Sequence, residues 1–273
     1  MVSSNIARIF DEVYVRYCIS VFFPVMSQKN EILTLNNSKT MKPILKTVLW
    51  LSIFAVAMGF LETAVVVYIR ELYYPTGFKF PVVSIKDVII ITELGRELAT
   101  LIMIIAIAVI AGKNFAQRFV FFLYVFAVWD IFYYVFLKLL LNWPSALTDW
   151  DVLFLIPVPW VGPVIAPCII SLVMIAYTAM VVYLSVKEIK VVFRRYDWLV
   201  LISASIILIA SFTEHYFRIV TIEGVLKDSV NMMENIRDFI PKSFNWLLFI
   251  IGISMLLAEL FVILRRSVKG SKQ

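Results

Sequence analysis

The sequence predicts an all-α integral membrane protein. The expected architecture is a bundle of six transmembrane helices, with a proline-broken fourth helix and amphipathic helices on the outer surface. Three observations carry this. Of 273 residues, 62% are apolar and only 16% are charged, against about 25% charged in an average soluble domain. Mean hydropathy is +0.92. Six apolar stretches reach the length of about 20 helical residues that crosses a hydrocarbon core of ~30 Å. A soluble globular enzyme is excluded, because a fold of this size in water could not hide so much apolar surface. Disorder is excluded too, because its signature is low hydrophobicity.

The spans are expected at Ile44–Ile69, Val88–Ala111, Phe119–Leu141, Val158–Val186, Trp198–Val220 and Trp246–Leu264. Residues 1–40 differ in character. The apolar run Val13–Met26 is interrupted by Arg16 and Pro24, and the polar stretch Ser27–Thr40 follows. Met41-Lys42-Pro43 then reads as a conventional start. Residues 1–40 are therefore read as a peripheral arm, or as preceding a natural initiator at Met41, with a half-inserted seventh helix as the alternative. Residues 41–273 are read as one transmembrane domain. No cleavage site of a secretory signal is seen.

Basic residues set the expected orientation. The segment before the first span, the loops after the second and fourth, and the tail carry twelve cations against Glu188 and Asp197. The opposite set of loops carries six cations against eight carboxylates. Both termini are thus expected in the cytoplasm, and the membrane is expected to be a bacterial inner membrane. The net charge of +6 is explained by this inner belt, and a nucleic-acid partner is not expected.

Ionisable groups inside the spans are the candidate functional residues, since each is expensive in lipid. They are Glu62; Glu93, Arg96 and Glu97; Asp130, Tyr134 and Lys138; Glu214, His215 and Arg218; and Glu259. A rise of ~1.5 Å per residue puts Glu62, Glu93, Glu97, Tyr134, Asp130, Glu214 and His215 roughly 7–16 Å below the outer ends of their helices. Four helices thus bring polar groups into one slab in the outer half, and only Glu259 lies toward the cytoplasm. Glu93, Arg96 and Glu97 share one helix face at i, i+3, i+4. Asp130, Tyr134 and Lys138 make a stripe at i, i+4, i+8. Five carboxylates face three permanent cations, which leaves two for protons, for imidazolium or for a bound cation. Glu93, Glu97, Glu214 and His215 are the candidate catalytic groups. Glu62, Arg96, Asp130, Tyr134, Lys138, Arg218 and Trp160 are the candidate ligand-binding groups. The bland alternative is a salt-bridge network that only fixes packing.

Pro159, Pro163 and Pro167 stand four apart and would share a helix face in the fourth span. Each lacks an N–H, so the carbonyls of Leu155, Pro159 and Pro163 would lose helical partners. Such carbonyls are tolerated at membrane depth only where protein or water satisfies them. After the fifth span, Ile222, Val225, Leu226, Val230, Met233, Ile236 and Ile240 recur at helical spacing, the pattern of an amphipathic surface helix.

No HExxH, GxSxG, Walker A or GxGxxG pattern occurs, so zincin, serine-hydrolase and nucleotide-binding chemistry is unsupported. Carboxylates with His215 could hold Mg²⁺, Mn²⁺ or Ca²⁺. A di-iron bundle needs Glu-x-x-His twice, and Glu214 and His215 are adjacent instead. No cofactor is assigned. Partners are the bilayer and a lipid, cation or small amphiphile. The leading expectation is an intramembrane enzyme or ligand-binding protein working on a lipid or amphiphile from the outer side. A proton- or cation-coupled transporter and a structural subunit of a membrane complex are the alternatives.

Overall fold

The computed structural model describes residues 34–83, 86–222 and 243–270. The chain divides into two compact units, residues 1–45 and 46–273. The first is described only over its helical residues 34–45. The run Val13–Met26 and the amphipathic pattern beyond Ile222 lie outside the described residues, as do the side chains of His215 and Arg218.

Six helices are long and apolar enough to cross a membrane. They are α1 (Thr34–Tyr73), α2 (Asp87–Ala111), α3 (Phe115–Leu141), α4 (Ile165–Val186), α5 (Arg195–Ile222) and α6 (Trp246–Gly270). The protein is a polytopic, all-α membrane bundle with one small β element. Between α3 and α4 lies a two-stranded antiparallel hairpin, β1 (Trp150–Phe154) and β2 (Trp160–Pro163).

That hairpin corrects the expected fourth span. Helix α4 begins at Ile165, so Pro159 and Pro163 do not share a helix face with Pro167, and α4 is not broken by them. The physical reason is legible afterwards. Proline suits strand ends and turns, where no ladder N–H is needed, and Trp150-Asp151-Val152-Leu153-Phe154 has the β-branched and aromatic make-up of a strand. Asp151 pairs with Gly162 and Val152 with Val161, and the register shifts between Val152 and Phe154. Glycine at 162 allows a close approach. A Cβ there would lie 2.8 Å from the Phe212 ring, so the hairpin rests directly on α5.

Local signals end the helices. Asn114 caps α3 by accepting from the Gln117 N–H at 3.0 Å, and the Gln117 side chain accepts from the Lys113 N–H at 3.0 Å. The pair differs from a capping box in that the back-bond reaches the residue before the cap. Asn142 closes α3 in the left-handed conformation, φ 52°. At the start of α5, Asp197 accepts from the Arg194 N–H at 2.6 Å and from Arg266 of α6 at 2.9 Å.

The interior joins all six helices. Leu51 and Met58 of α1, Ile104 of α2, Val125 of α3, Tyr177 of α4, Leu201 of α5 and Ile263 of α6 belong to one buried cluster. Polarity is inverted relative to a soluble helix. On α2, Glu97, Thr100, Ile104 and Ala108 are buried, while Ile91, Leu98, Ile102, Ile105 and Ile110 are exposed, as a lipid-facing surface requires. Between α5 and α6 the backbones approach at Gly252, where a Cβ would meet Leu208 Cγ at 2.7 Å and the Ala204 carbonyl oxygen at 3.3 Å. Small residues permit such contacts between membrane helices. Gly252→Ala is therefore expected to destabilise by ~1–3 kcal/mol through overpacking, read as a lower melting temperature of the detergent-solubilised chain.

Candidate functional site

A cavity of about 180 Å³ lies between α1, α2, α3 and the hairpin. Five carboxyl groups and two guanidiniums line it: Glu62, Glu93, Glu97, Asp130 and Asp151, with Arg70 and Arg96. Its remaining wall mixes apolar side chains such as Val66 and Ile89 with Tyr133 and Tyr134.

The cavity exists because the hairpin reaches deep between the helices. The Phe154 ring stacks on Phe126 at 6.3 Å and meets Trp129 edge-on at 6.1 Å. Trp129 sits about 18 Å along α3 from its Leu141 end at ~1.5 Å per residue. A strand at that level needs its polar backbone groups satisfied by protein. Glu97 helps to do this. Both of its carboxylate oxygens accept from the Leu155 N–H, at 3.1 and 3.0 Å.

Arg96 is the hub of the α1–α2 contact. It is ion-paired with Glu62 across the helices, and its Nε donates to Glu93 Oε2 at 2.9 Å within α2. Thr100 donates to the other side of the Glu62 carboxylate. Asp130 accepts from Ser171 of α4 at 2.9 Å.

Arg70 forms a second centre. Its Nη2 donates to Asp151 Oδ1 at 3.0 Å, and both side chains are almost fully buried. Tyr134 donates to Asp151 Oδ2 at 3.3 Å. The Arg70 guanidinium lies 4.5 Å from the Phe78 ring centroid and 3.9 Å from that of Trp143. These are cation–π distances.

A wider open groove of about 750 Å³ adjoins the cavity, walled by the loop after α1 and the segment after α3. Arg70, Tyr74 and Phe78 belong to both. Tyr74 and Asp149 line this groove outside the spans. Burial raises the Tyr74 phenol, whose oxygen accepts from the Val83 N–H at 3.0 Å. Burial alone would raise Asp149, but hydrogen bonds from Ser145 and Ala146 outweigh it and hold this carboxyl below the usual carboxylate range.

The candidates from the sequence divide clearly. Glu62, Glu93, Arg96, Glu97, Asp130 and Tyr134 are brought together around one cavity. Lys138 is not among them. It sits at the end of α3 and donates to the carbonyl oxygens of Pro144 at 2.9 Å and Asn142 at 3.4 Å. Glu214 accepts from the Asn245 side chain at 2.6 Å, away from the cavity. Trp160 packs with Phe154 and Phe212 on the hairpin. Two lining residues, Arg70 and Asp151, escape a reading of the sequence that treats them as loop charges. Among the described residues, no group of three or more His, Cys, Asp or Glu is arranged to hold a metal ion.

No protein-family model matches the chain, and no curated protein or solved structure matches it.

Proposed function

We propose that this polytopic membrane protein takes the polar head of a lipid or other amphiphile into the carboxyl-rich cavity, as a binding protein or as an enzyme acting on that head. The cavity itself carries the reading. Five carboxyls and two guanidiniums around a space walled by membrane helices and the hairpin are expensive at membrane depth, and such groups mark a functional site. The excess of acids over cations provides groups that hold protons or attract a counter-cation, and so provides for acid–base work. Glu93 and Glu97 are the groups proposed for it.

Size argues for a head group rather than a whole lipid. A space of about 180 Å³ falls below the ~300–1,000 Å³ of drug-sized pockets. The tail of the ligand would then stay among lipids or in the adjoining groove. The distribution of cations favours cytoplasmic termini, which would open the groove to the extracytoplasmic side of a bacterial inner membrane.

The test is retention. Chain purified from membranes is extracted, and bound amphiphile per chain is measured by mass spectrometry. Wild type is expected to retain a defined amphiphile, and Glu93→Gln and Glu97→Gln to lose most of it. Equal retention by both variants and wild type sinks the proposal.

A further inference from the structure

The observation that goes furthest is an unsatisfied donor. Arg70 is only 7% exposed, and its Nη1 is buried with no hydrogen-bond partner among the described residues. Nη2 of the same guanidinium is held by Asp151, and the Phe78 and Trp143 rings lie against the group. The guanidinium is thus fixed in place with donors to spare. A buried charged donor without an acceptor is strongly unfavourable, and guanidinium geometry suits two oxygens of one oxyanion. Arg70 also lines both the inner cavity and the outer groove, so a ligand entering by the groove meets it.

We infer that Arg70 is the recognition residue for an oxyanion, the phosphate or carboxylate of the ligand, seated where groove and cavity join and held by its free Nη1. The assignment rests on the amphiphile reading above and deepens it by naming the charge of the head group. Arg96 cannot take this role as readily, because Glu62 and Glu93 already engage it.

The experiment uses the full chain in detergent and native mass spectrometry. Three probes are titrated: dioleoylphosphatidylglycerol, dioleoylglycerol with the same tails and no phosphate, and inorganic phosphate as competitor. Wild type is expected to prefer the phospholipid to the neutral lipid by about tenfold or more, the effect of one charge-assisted hydrogen-bond set. The double variant Arg70→Gln/Asp151→Asn removes both charges, so no lone buried carboxylate is left to unfold the chain, and it should lose that preference. Arg70→Lys should keep only part of it, because an ammonium is a poor substitute for a fork that already serves Asp151. Displacement of the phospholipid by inorganic phosphate would support the site with a free oxyanion as its source. Preference for the phospholipid without such displacement would support a lipid head group. Equal binding of the two lipids by wild type, or a preference unchanged in the double variant, overturns the Arg70 assignment while leaving the cavity as an amphiphile site. Binding of neither lipid by wild type overturns both.

Discussion

Arg96→Met is expected to destabilise the chain strongly. It leaves Glu62, 5% exposed, and Glu93 without their common cation. Removing one partner from a buried ion pair costs about 3–5 kcal/mol. The expected readout is a markedly lower melting temperature and a lower yield of monodisperse protein in detergent. Arg96→Lys should recover only part of the loss, because one ammonium is poorly matched to two carboxylates on different helices. Glu62→Gln/Arg96→Gln should recover more than Arg96→Met. The Thr100 hydroxyl still finds an acceptor in the side-chain amide that replaces the Glu62 carboxylate, and one fewer carboxylate is left unpaired. A melting temperature for Arg96→Met equal to that of wild type would show that Arg96 does not hold α1 to α2.

Glu97→Leu is expected to release the hairpin while sparing the helices. The Leu155 N–H loses both of its acceptors, and a buried N–H left unpaired costs about 1–3 kcal/mol. Hydrogen exchange at Leu155 and its neighbours should accelerate about tenfold or more, with helical circular dichroism unchanged. Glu97→Gln keeps one acceptor oxygen and should lie between. Because Asp151, Val152 and Phe154 line the cavity, amphiphile retention should fall together with hairpin protection. Unchanged exchange at Leu155 in Glu97→Leu would remove Glu97 from this role.

Helix positions and depth were readable because lipid imposes a length and a rise. Five of the six expected spans lie wholly within the observed helices α1, α2, α3, α5 and α6. Depth groups Glu62 with Glu93 and Glu97, and helical spacing sets Arg96 on the face of those two; the structure joins Arg96 to Glu62 across two helices. Spacing on α2 placed Glu93 beside Arg96 correctly. It could not tell that Glu97, on the same face, turns to a strand 58 residues away. Prolines four apart fit a kinked helix and a proline-rich hairpin equally well, and the expected fourth span therefore begins at Val158 where the helix begins at Ile165. Arg70 and Asp151 lie 81 residues apart, one in the last turn of a span and one in a connecting segment. No local pattern links such a pair. Lys138 continued a real stripe on α3, but its long side chain folds back to carbonyls beyond the helix end, an option that helical periodicity does not describe. Shared depth likewise could not separate Glu214, which faces Asn245, from the carboxyls of the cavity.

The hairpin bears on how the chain is made. Its polar ties come from Arg70 of α1, Glu97 of α2 and Tyr134 of α3, and its β2 strand rests on α5 at Phe212. Helices can insert one at a time, each with its backbone bonds closed within itself, but this strand pair has no such independence. Its seat does not exist until at least four helices have come together. Docking of the hairpin therefore follows the meeting of those helices, and residues 150–163 complete the cavity last, with their polar backbone groups unsatisfied until then.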